Sequence, residues 1–291
     1  MSIISHKVII IQGPLMTFGQ GPNNALNGFD TSQHIISNIK NLSKFGFDHL
    51  LVTWRNDWDQ HPNISKSISE NKINVLLLDY PVNVFDPDHR YKHHYSIRKA
   101  IEYLDEIPYH FVGKIRTDQL IPAETFKYFD SYIDDKLIVS ELMRNNDYYV
   151  GDFIYYARKN VLIRFLNSQI KASIIHPIIA NNIGIRYYLN VNEENSILFM
   201  IKYLLNSSDC RKKWQNFVFE NISLMPEVYY KGIVWREKLI FDVIDRILFI
   251  FNEDLNQNIR SIKCSQNRVI YMFYGYRKYL TRVAKVLLQK V

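Results

Sequence analysis

Five short runs rich in Val, Ile and Leu, with helical patterns between several of them, constrain the fold of this chain more than any other feature. They are KVIII (7–11), HLLVTW (49–54), NVLLLDY (74–80), YHFVGKI (109–115) and KLIVS (136–140). Each reads as a strand covered on both faces, the mark of a largely parallel sheet. Between the first two lies DTSQHIISNIKNLSKFGF, where Ile35, Ile39, Leu42 and Phe45 share one helical face. Asp30 or Thr31 can cap its start and Gly46 can end it. YKHHYSIRKAIEYLDEI, between the third and fourth runs, sets Tyr95, Ala100, Ile101 and Leu104 beside polar positions and also reads helical. The repeated βαβ order predicts an α/β fold, a Rossmann-type and mostly parallel sheet flanked by helices.

Beyond about residue 150 the pattern becomes mainly helical, in KNVLIRFLNS, EENSILFMIKYLLNS and REKLIFDVIDRILFIFNEDL. No Gly/Ser-rich linker and no internal repeat divides the chain. The expected organisation is an α/β domain over 1–205 and a helical C-terminal extension over 206–291, packed on the sheet. The apolar run near the N-terminus is too short for a signal peptide. No stretch of about eighteen uncharged apolar residues suggests a spanning helix. Cys210 and Cys264 are the two cysteines and have no metal-ligand spacing around them, which fits a reducing cytoplasm.

A formal charge of +7 favours polyanionic partners. The absence of zinc-finger, helix-turn-helix and RNP-like patterns argues against nucleic acid. The last segment, NRVIYMFYGYRKYLTRVAKVLLQKV, mixes six basic side chains with many aromatic and aliphatic ones. It reads either as a helix lying on an anionic membrane, placing the protein peripherally on the inner membrane, or as an ordinary terminal helix with a solvated basic face.

In open α/β sheets, ligands bind beyond the carboxyl ends of the strands. The residues that follow the runs are Gln12, Gly13 and Pro14; Thr53, Trp54 and Arg55; Asp79 and Tyr80; and Arg116, Thr117 and Asp118. Together they supply an amide, exposed backbone groups, an aromatic face, guanidinium groups and carboxylates, a set suited to a nucleotide diphosphate. In extended chain, residues two apart point to one side, so Arg116 and Asp118 can face one cleft. Arg116 would pair with phosphate oxygens, and Asp118 would hold a divalent cation or a sugar hydroxyl. The competing reading of these residues is a salt bridge within the loop.

VIIIQGPL, LLVTWRND, VGKIRTDQL and GDFIYYARKNVL occur in that order over roughly residues 7–205. In this they resemble the WavE-type lipopolysaccharide synthesis family of bacterial GT-A-like glycosyltransferases. The resemblance implies that Gln12, Gly13 and Pro14 form the nucleotide pocket, with Trp54 and Arg55 beside it. It also implies that Arg116 and Asp118 stand where the donor diphosphate and its metal, Mn or Mg, are met. One Asp is present there in place of the usual pair, which leaves metal dependence open. Arg98 lies in YKHHYSIRKAI, where the family's Asn-x-x-Arg-Gln helix start is not kept. Asp152, before an aromatic strand, and Glu194, at a predicted helix start beside Glu193, are the implied catalytic carboxylates. Turn formation and helix-dipole placement are the structural alternatives for them.

Other features read as structural. His89, His93 and His94, near Asp86 and Asp88, meet no zinc spacing and read as a solvated polar loop. GQGPNNALNG (19–28) lacks the P-loop lysine and a GxGxxG, and reads as a mobile loop over the nucleotide. Trp235 and Arg236 read equally as core and cap or as site. The expected activity is transfer of a sugar from a nucleotide-activated donor to a glycan or lipid-linked glycan acceptor of a surface polysaccharide, lipopolysaccharide or capsule. The alternatives are a nucleotidyl- or phosphosugar-transferase, and a non-catalytic basic module binding membrane or nucleic acid.

Overall fold

A computed structural model of the chain describes residues 6–19, 25–82, 84, 86, 89–140, 142–145, 147–175, 188 and 218–239. In chain order the strands are β1 (Lys7–Gln12), β2 (Met16–Gly19), β3 (Ala25–Asp30), β4 (Asp48–Trp54), β5 (Val75–Leu78), β6 (Phe111–Arg116) and β7 (Gln119–Leu120). They continue with β8 (Leu137–Val139), β9 (Leu142–Asn145), β10 (Asp147–Val150), β11 (Tyr155–Arg158), β12 (Ile222–Leu224), β13 (Val234–Trp235) and β14 (Lys238–Leu239). The helices are α1 (Ser32–Lys44), α2 (Arg55–Gln60), α3 (Pro62–Glu70), α4 (Arg90–Tyr103), α5 (Ala123–Ser131), α6 (Lys159–Ile175) and a short α7 (Glu227–Tyr230).

The central sheet has seven strands in the order β12-β8-β11-β6-β1-β4-β5. Every pairing within it is parallel except those of β11, which runs against both β6 and β8. The architecture is therefore the expected α/β class with a mostly parallel sheet.

The unbroken apolar runs have a direct explanation in β1. Val8 and Ile10 pack with Ile97, Ala100 and Ile101 of α4 and Leu162 and Phe165 of α6 on one face. Ile9 and Ile11 pack with Ile35 of α1, Ile64 of α3 and Phe126 of α5 on the other. Successive strand residues point to opposite faces, so a sheet covered on both sides needs an apolar residue at every position. Each such side chain, fully buried, contributes roughly 1.5–3 kcal/mol.

α1 begins as its sequence requires: Asp30 Oδ1 accepts the Ser32 N–H at 2.8 Å. Thr31, at the cap position, instead donates its hydroxyl to the Leu15 carbonyl at 2.8 Å and anchors the loop that follows β1. Gly46 lies just past the helix end with φ +68°, as expected.

Three expectations are revised. Residues 25–30 form β3, paired antiparallel with β2, so the stretch read as a loop over the nucleotide is strand in its second half. His93 and His94 lie in the first turns of α4, and His94 is buried, not part of a solvated loop. The segment from Arg236, read as the start of a long helix, opens with a hairpin: β13 pairs with β14 and, on its other side, with β7. Local periodicity misses this hairpin because its strands are two residues each, and the β7 strand that β13 also pairs with lies more than a hundred residues earlier. Glu193, Glu194, both cysteines and the basic segment 267–291 lie outside the described residues. No described helix is long and apolar enough to cross a membrane.

Candidate functional site

Four of the parallel strands run their carboxyl ends to one edge, and a cleft of about 500 Å³ opens there. Gln12, Gly13 and Pro14 from the end of β1, Trp54 from β4, Tyr80 after β5, and Arg116, Thr117 and Asp118 after β6 all line it. Its remaining wall is the start of α4, from His89 to His94, together with Asp152 from the turn before β11.

The segment after β6 is held from several sides. Thr117 N–H donates to the Gln12 carbonyl at 3.2 Å, and its hydroxyl donates to the Pro14 carbonyl at 2.7 Å. Gln119 Oε1 accepts the Arg116 N–H at 3.2 Å. Asn38 of α1, fully buried, donates to the Gln119 carbonyl at 2.7 Å and accepts the Ile121 N–H at 2.9 Å. Gly13 has φ +147°, and a Cβ there would lie 2.5 Å from Thr117 Oγ1. Only glycine lets the loops after β1 and β6 meet so closely.

Arg116 is bonded on three sides. Its Nε donates to Asp118 Oδ1 at 2.8 Å and its Nη2 to Asp118 Oδ2 at 3.0 Å, while Nη1 donates to Asp152 Oδ2 at 2.9 Å. The rings of Phe153 and Trp235 lie 5.4 and 5.8 Å from the guanidinium carbon. The pair lines the cleft and also forms the salt bridge within the loop.

Asp118 is 1% exposed, and Trp235 Nε1 (2.9 Å) and Arg236 Nε (3.4 Å) also donate to its Oδ2. The Arg236 N–H bonds the Asp118 carbonyl at 2.8 Å. Burial would raise this carboxyl, but the charge and hydrogen bonds of Arg116, the Trp235 N–H and Arg236 outweigh it and hold the group below the usual carboxylate range. Trp235 and Arg236 thus support Asp118 from behind the cleft without lining it. Sequence gave no preference for that role, because 117 residues separate Trp235 from Asp118.

Asp152 is half-exposed to the cleft. Burial pushes its carboxyl up, but Arg116, Lys114 and Arg90 more than compensate and bring it to about 2. Lys114, buried in β6, donates to the carbonyls of Asp152 and Phe153, so it fixes the Asp152 backbone and charges the cleft wall from behind. No sequence signal marked Lys114 beyond a charge inside an apolar strand.

At the other end of the cleft, Trp54 and Tyr80 stack with centroids 4.5 Å apart and planes 20° from parallel. Trp54 is nearly buried while Tyr80 is 44% exposed. The Lys92 ammonium lies 4.7 Å from the Tyr80 ring centre, within cation–π range. His94 Nδ1 lies 2.8 Å from the Arg90 carbonyl, which can only accept, so Nδ1 carries the proton and Nε2 can accept from the Tyr155 hydroxyl at 3.4 Å. Burial, with the Arg90 and Lys114 charges, lowers His94 to about 3, and His93 is lowered well below its usual value by burial and the same cations. His93 Nε2 is buried with no hydrogen-bond partner.

Two expected site residues stand elsewhere. Arg55 opens α2 and pairs with Asp79 at 3.1 Å on the surface, outside the cleft lining. Arg98 points from α4 to Asn167 of α6 at 3.2 Å and to Glu102 at 3.2 Å.

The residues present do not fit a divalent ion at Asp118. Its two oxygens already receive four donors, three of them from guanidinium groups, and water scarcely reaches them. Among the described residues no group of three His, Cys, Asp or Glu side chains could hold a metal ion.

No family model matches the chain, and no curated protein sequence matches it. Some solved structures are remotely similar to the chain. HddC from Yersinia pseudotuberculosis, complexed with GMP-PN, is 13% identical with a TM-score of 0.37 over 54% of this chain and 79% of that one. The inositol-1-phosphate CTP transferase from T. maritima is 12% identical, with a TM-score of 0.34 over 54% of this chain and 71% of that one. A glycosyltransferase involved in glycosylation of the major capsid of PBCV-1 is 7% identical, with a TM-score of 0.33 over 62% and 73%.

Proposed function

We propose that the protein is a glycosyltransferase that moves a sugar from a nucleotide-activated donor to a glycan or lipid-linked glycan acceptor of a bacterial surface polysaccharide. The observation that carries this reading is the meeting, in one cleft at the carboxyl edge of the sheet, of the Trp54–Tyr80 stack with the cations Arg90, Lys92 and Arg116. An aromatic face suits a nucleobase, and clustered cations suit a diphosphate. The motif resemblance to WavE-type GT-A-like proteins names the same edge and supplies the acceptor class.

In this reading the cleft orients donor and acceptor and stabilises charge developing on the leaving diphosphate. Arg116 contributes to that stabilisation from a position set by Asp118. Asp152 faces the cleft as a permanent carboxylate. A group near pKa 2 is a weak proton acceptor, so it serves better to orient a sugar hydroxyl than to deprotonate one. Glu194 remains the candidate for a general base.

Product analysis with a panel of nucleotide sugars tests the proposal. Release of a nucleoside diphosphate upon sugar transfer is expected. Release of pyrophosphate would overturn glycosyl transfer in favour of nucleotidyl transfer on the same cleft. A nucleoside monophosphate requires the donor to be known, because monophosphate-activated sugars release it too.

A further inference from the structure

We infer that this cleft neutralises the diphosphate of its nucleotide with its own cations, and that Asp118 is the internal counter-ion that fixes Arg116, not a ligand of a divalent metal. This rests on the nucleotide reading above and specifies how the nucleotide's charge is met.

The first support is the crowding of Asp118. Its Oδ2 receives Arg116 Nη2, the Trp235 indole and Arg236, its Oδ1 receives Arg116 Nε, and the residue is 1% exposed. A metal ion at this position would have to displace guanidinium donors in a site from which solvent is excluded. The fixed fork of Arg116 matches the planar carboxylate in a way a spherical ion would not reproduce.

The second support is the balance of charge. Arg90, Lys92 and Arg116 line the cleft, and Lys114 and Arg236 stand directly behind it. Among the described residues, the carboxylates that line the cleft are Asp118 and Asp152, with Asp86 behind the α4 turn and Asp57 behind the loop after β1. The positive potential that makes Asp152 reluctant to take up a proton also makes it a poor ligand for a dication. The same potential favours a polyanion.

The third support is the disposition of groups still able to bond a ligand. Lys92 makes no ion pair among the described residues; its ammonium rests over the Tyr80 ring, beside the aromatic stack. His93, neutral and lining the cleft, has a buried ring nitrogen without a partner. A polar ligand seated between the stack and Arg116 would meet the Lys92 ammonium. The α4 turn that carries Lys92 and His93 is held by Asp86, whose carboxylate accepts the Tyr91 and Lys92 N–H groups at 3.0 and 2.9 Å.

Calorimetric titration of the full chain with UDP, GDP, ADP, CDP and dTDP, each in EDTA and again in excess manganese, tests this. Lys92→Gln is measured alongside, after its melting temperature has been checked against the parent. The expected result is binding of at least one diphosphate in EDTA, an affinity within about threefold in manganese, and a loss of about tenfold in Lys92→Gln, the scale of one charge-assisted hydrogen bond. Binding that requires manganese, or gains tenfold or more from it, would overturn the inference and leave the nucleotide reading standing. Binding in EDTA that Lys92→Gln leaves unchanged would overturn the part given to Lys92. Failure of every diphosphate under both conditions would overturn the nucleotide reading, and the inference with it.

Discussion

Arg116 and Asp118 close a two-point ion pair across a single intervening residue, with N–O distances of 2.8 and 3.0 Å, and the carboxylate end of that pair is buried. The strand β6 thus ends in a rigid unit: Asp118 faces the Trp235–Arg236 hairpin, and the guanidinium reaches on to Asp152 in the cleft. The relationship ties the loop's stability and, under the function proposed above, its activity to one side chain.

Arg116→Ala should therefore cost both. Read from sequence, its loss would lower the rate far more than the stability. The structure adds a second penalty, because the substitution leaves a buried carboxylate with only Trp235 and Arg236. Removing one member of a buried pair costs about 3–5 kcal/mol, and the remaining donors put this case near the lower figure. Arg116→Lys keeps the charge but loses the fork, and should fall between. Urea unfolding of the three proteins checks the order, and a parent-like midpoint for Arg116→Ala would refute the structural role.

Tyr80 offers the cleanest separation of binding from folding. Its ring is 44% exposed and stacked on Trp54, so Tyr80→Ala removes little core. Base–aromatic stacking is worth about 1–3 kcal/mol. Nucleotide affinity should fall by about tenfold or more, while Tyr80→Phe stays near the parent and both variants melt within a few degrees of it. Fluorescence or calorimetric titration decides, and equal affinities for Tyr80→Ala and Tyr80→Phe would remove the ring from the nucleotide site.

Gly13→Ala tests how closely the two loops meet. The added Cβ would stand 2.5 Å from Thr117 Oγ1 at a φ that side chains rarely adopt. Thr117 is bonded to Pro14 and to the Gln12 carbonyl and has little room to yield. Destabilisation of more than about 1 kcal/mol is expected, measured by denaturant unfolding. Gly13→Ala combined with Thr117→Ser should recover little, since the hydroxyl remains.

The sheet was legible because burial on both faces leaves an unbroken apolar run, as in β1, where Val8 and Ile9 serve opposite cores. The carboxyl-edge rule then located Gln12, Trp54, Tyr80 and Arg116. It did not hold for Arg55, which follows Trp54 directly but opens a helix and lies exposed, paired with Asp79 outside the cleft lining. It also gave no access to Trp235 and Arg236. Their hairpin pairs with β7 across the fold, and Arg236 adopts φ +59° without a glycine to mark the turn. Lys114 was hidden for a related reason: a lysine in an apolar strand announces a buried charge, but its acceptors are backbone carbonyls that no side-chain pattern reveals.

His94 predicts the acid response. It is 2% exposed and neutral, with its carboxyl-free surroundings on α4 set by Arg90 and His93, the Lys114 charge near it from β6 and the Asp152 charge from the turn before β11. Because burial, Arg90 and Lys114 lower its value from 6.5 to about 3, the unfolded chain takes up this proton first as pH falls. Its contribution to stability is complete above about 6.5 and is lost progressively down to about 3, at roughly 1.4 kcal/mol per pH unit for one proton. His93 adds to the same slope, and Asp152 adds a further loss between 3.8 and about 2. His94→Phe keeps the ring volume but gives up the hydrogen bonds to Arg90 and Tyr155, so it should be less stable than the parent at pH 8. Its stability should then fall less steeply between pH 6 and pH 4, by about one proton's worth of slope. Urea midpoints at those three pH values measure it, and an unchanged slope would show that His94 is not the group that titrates.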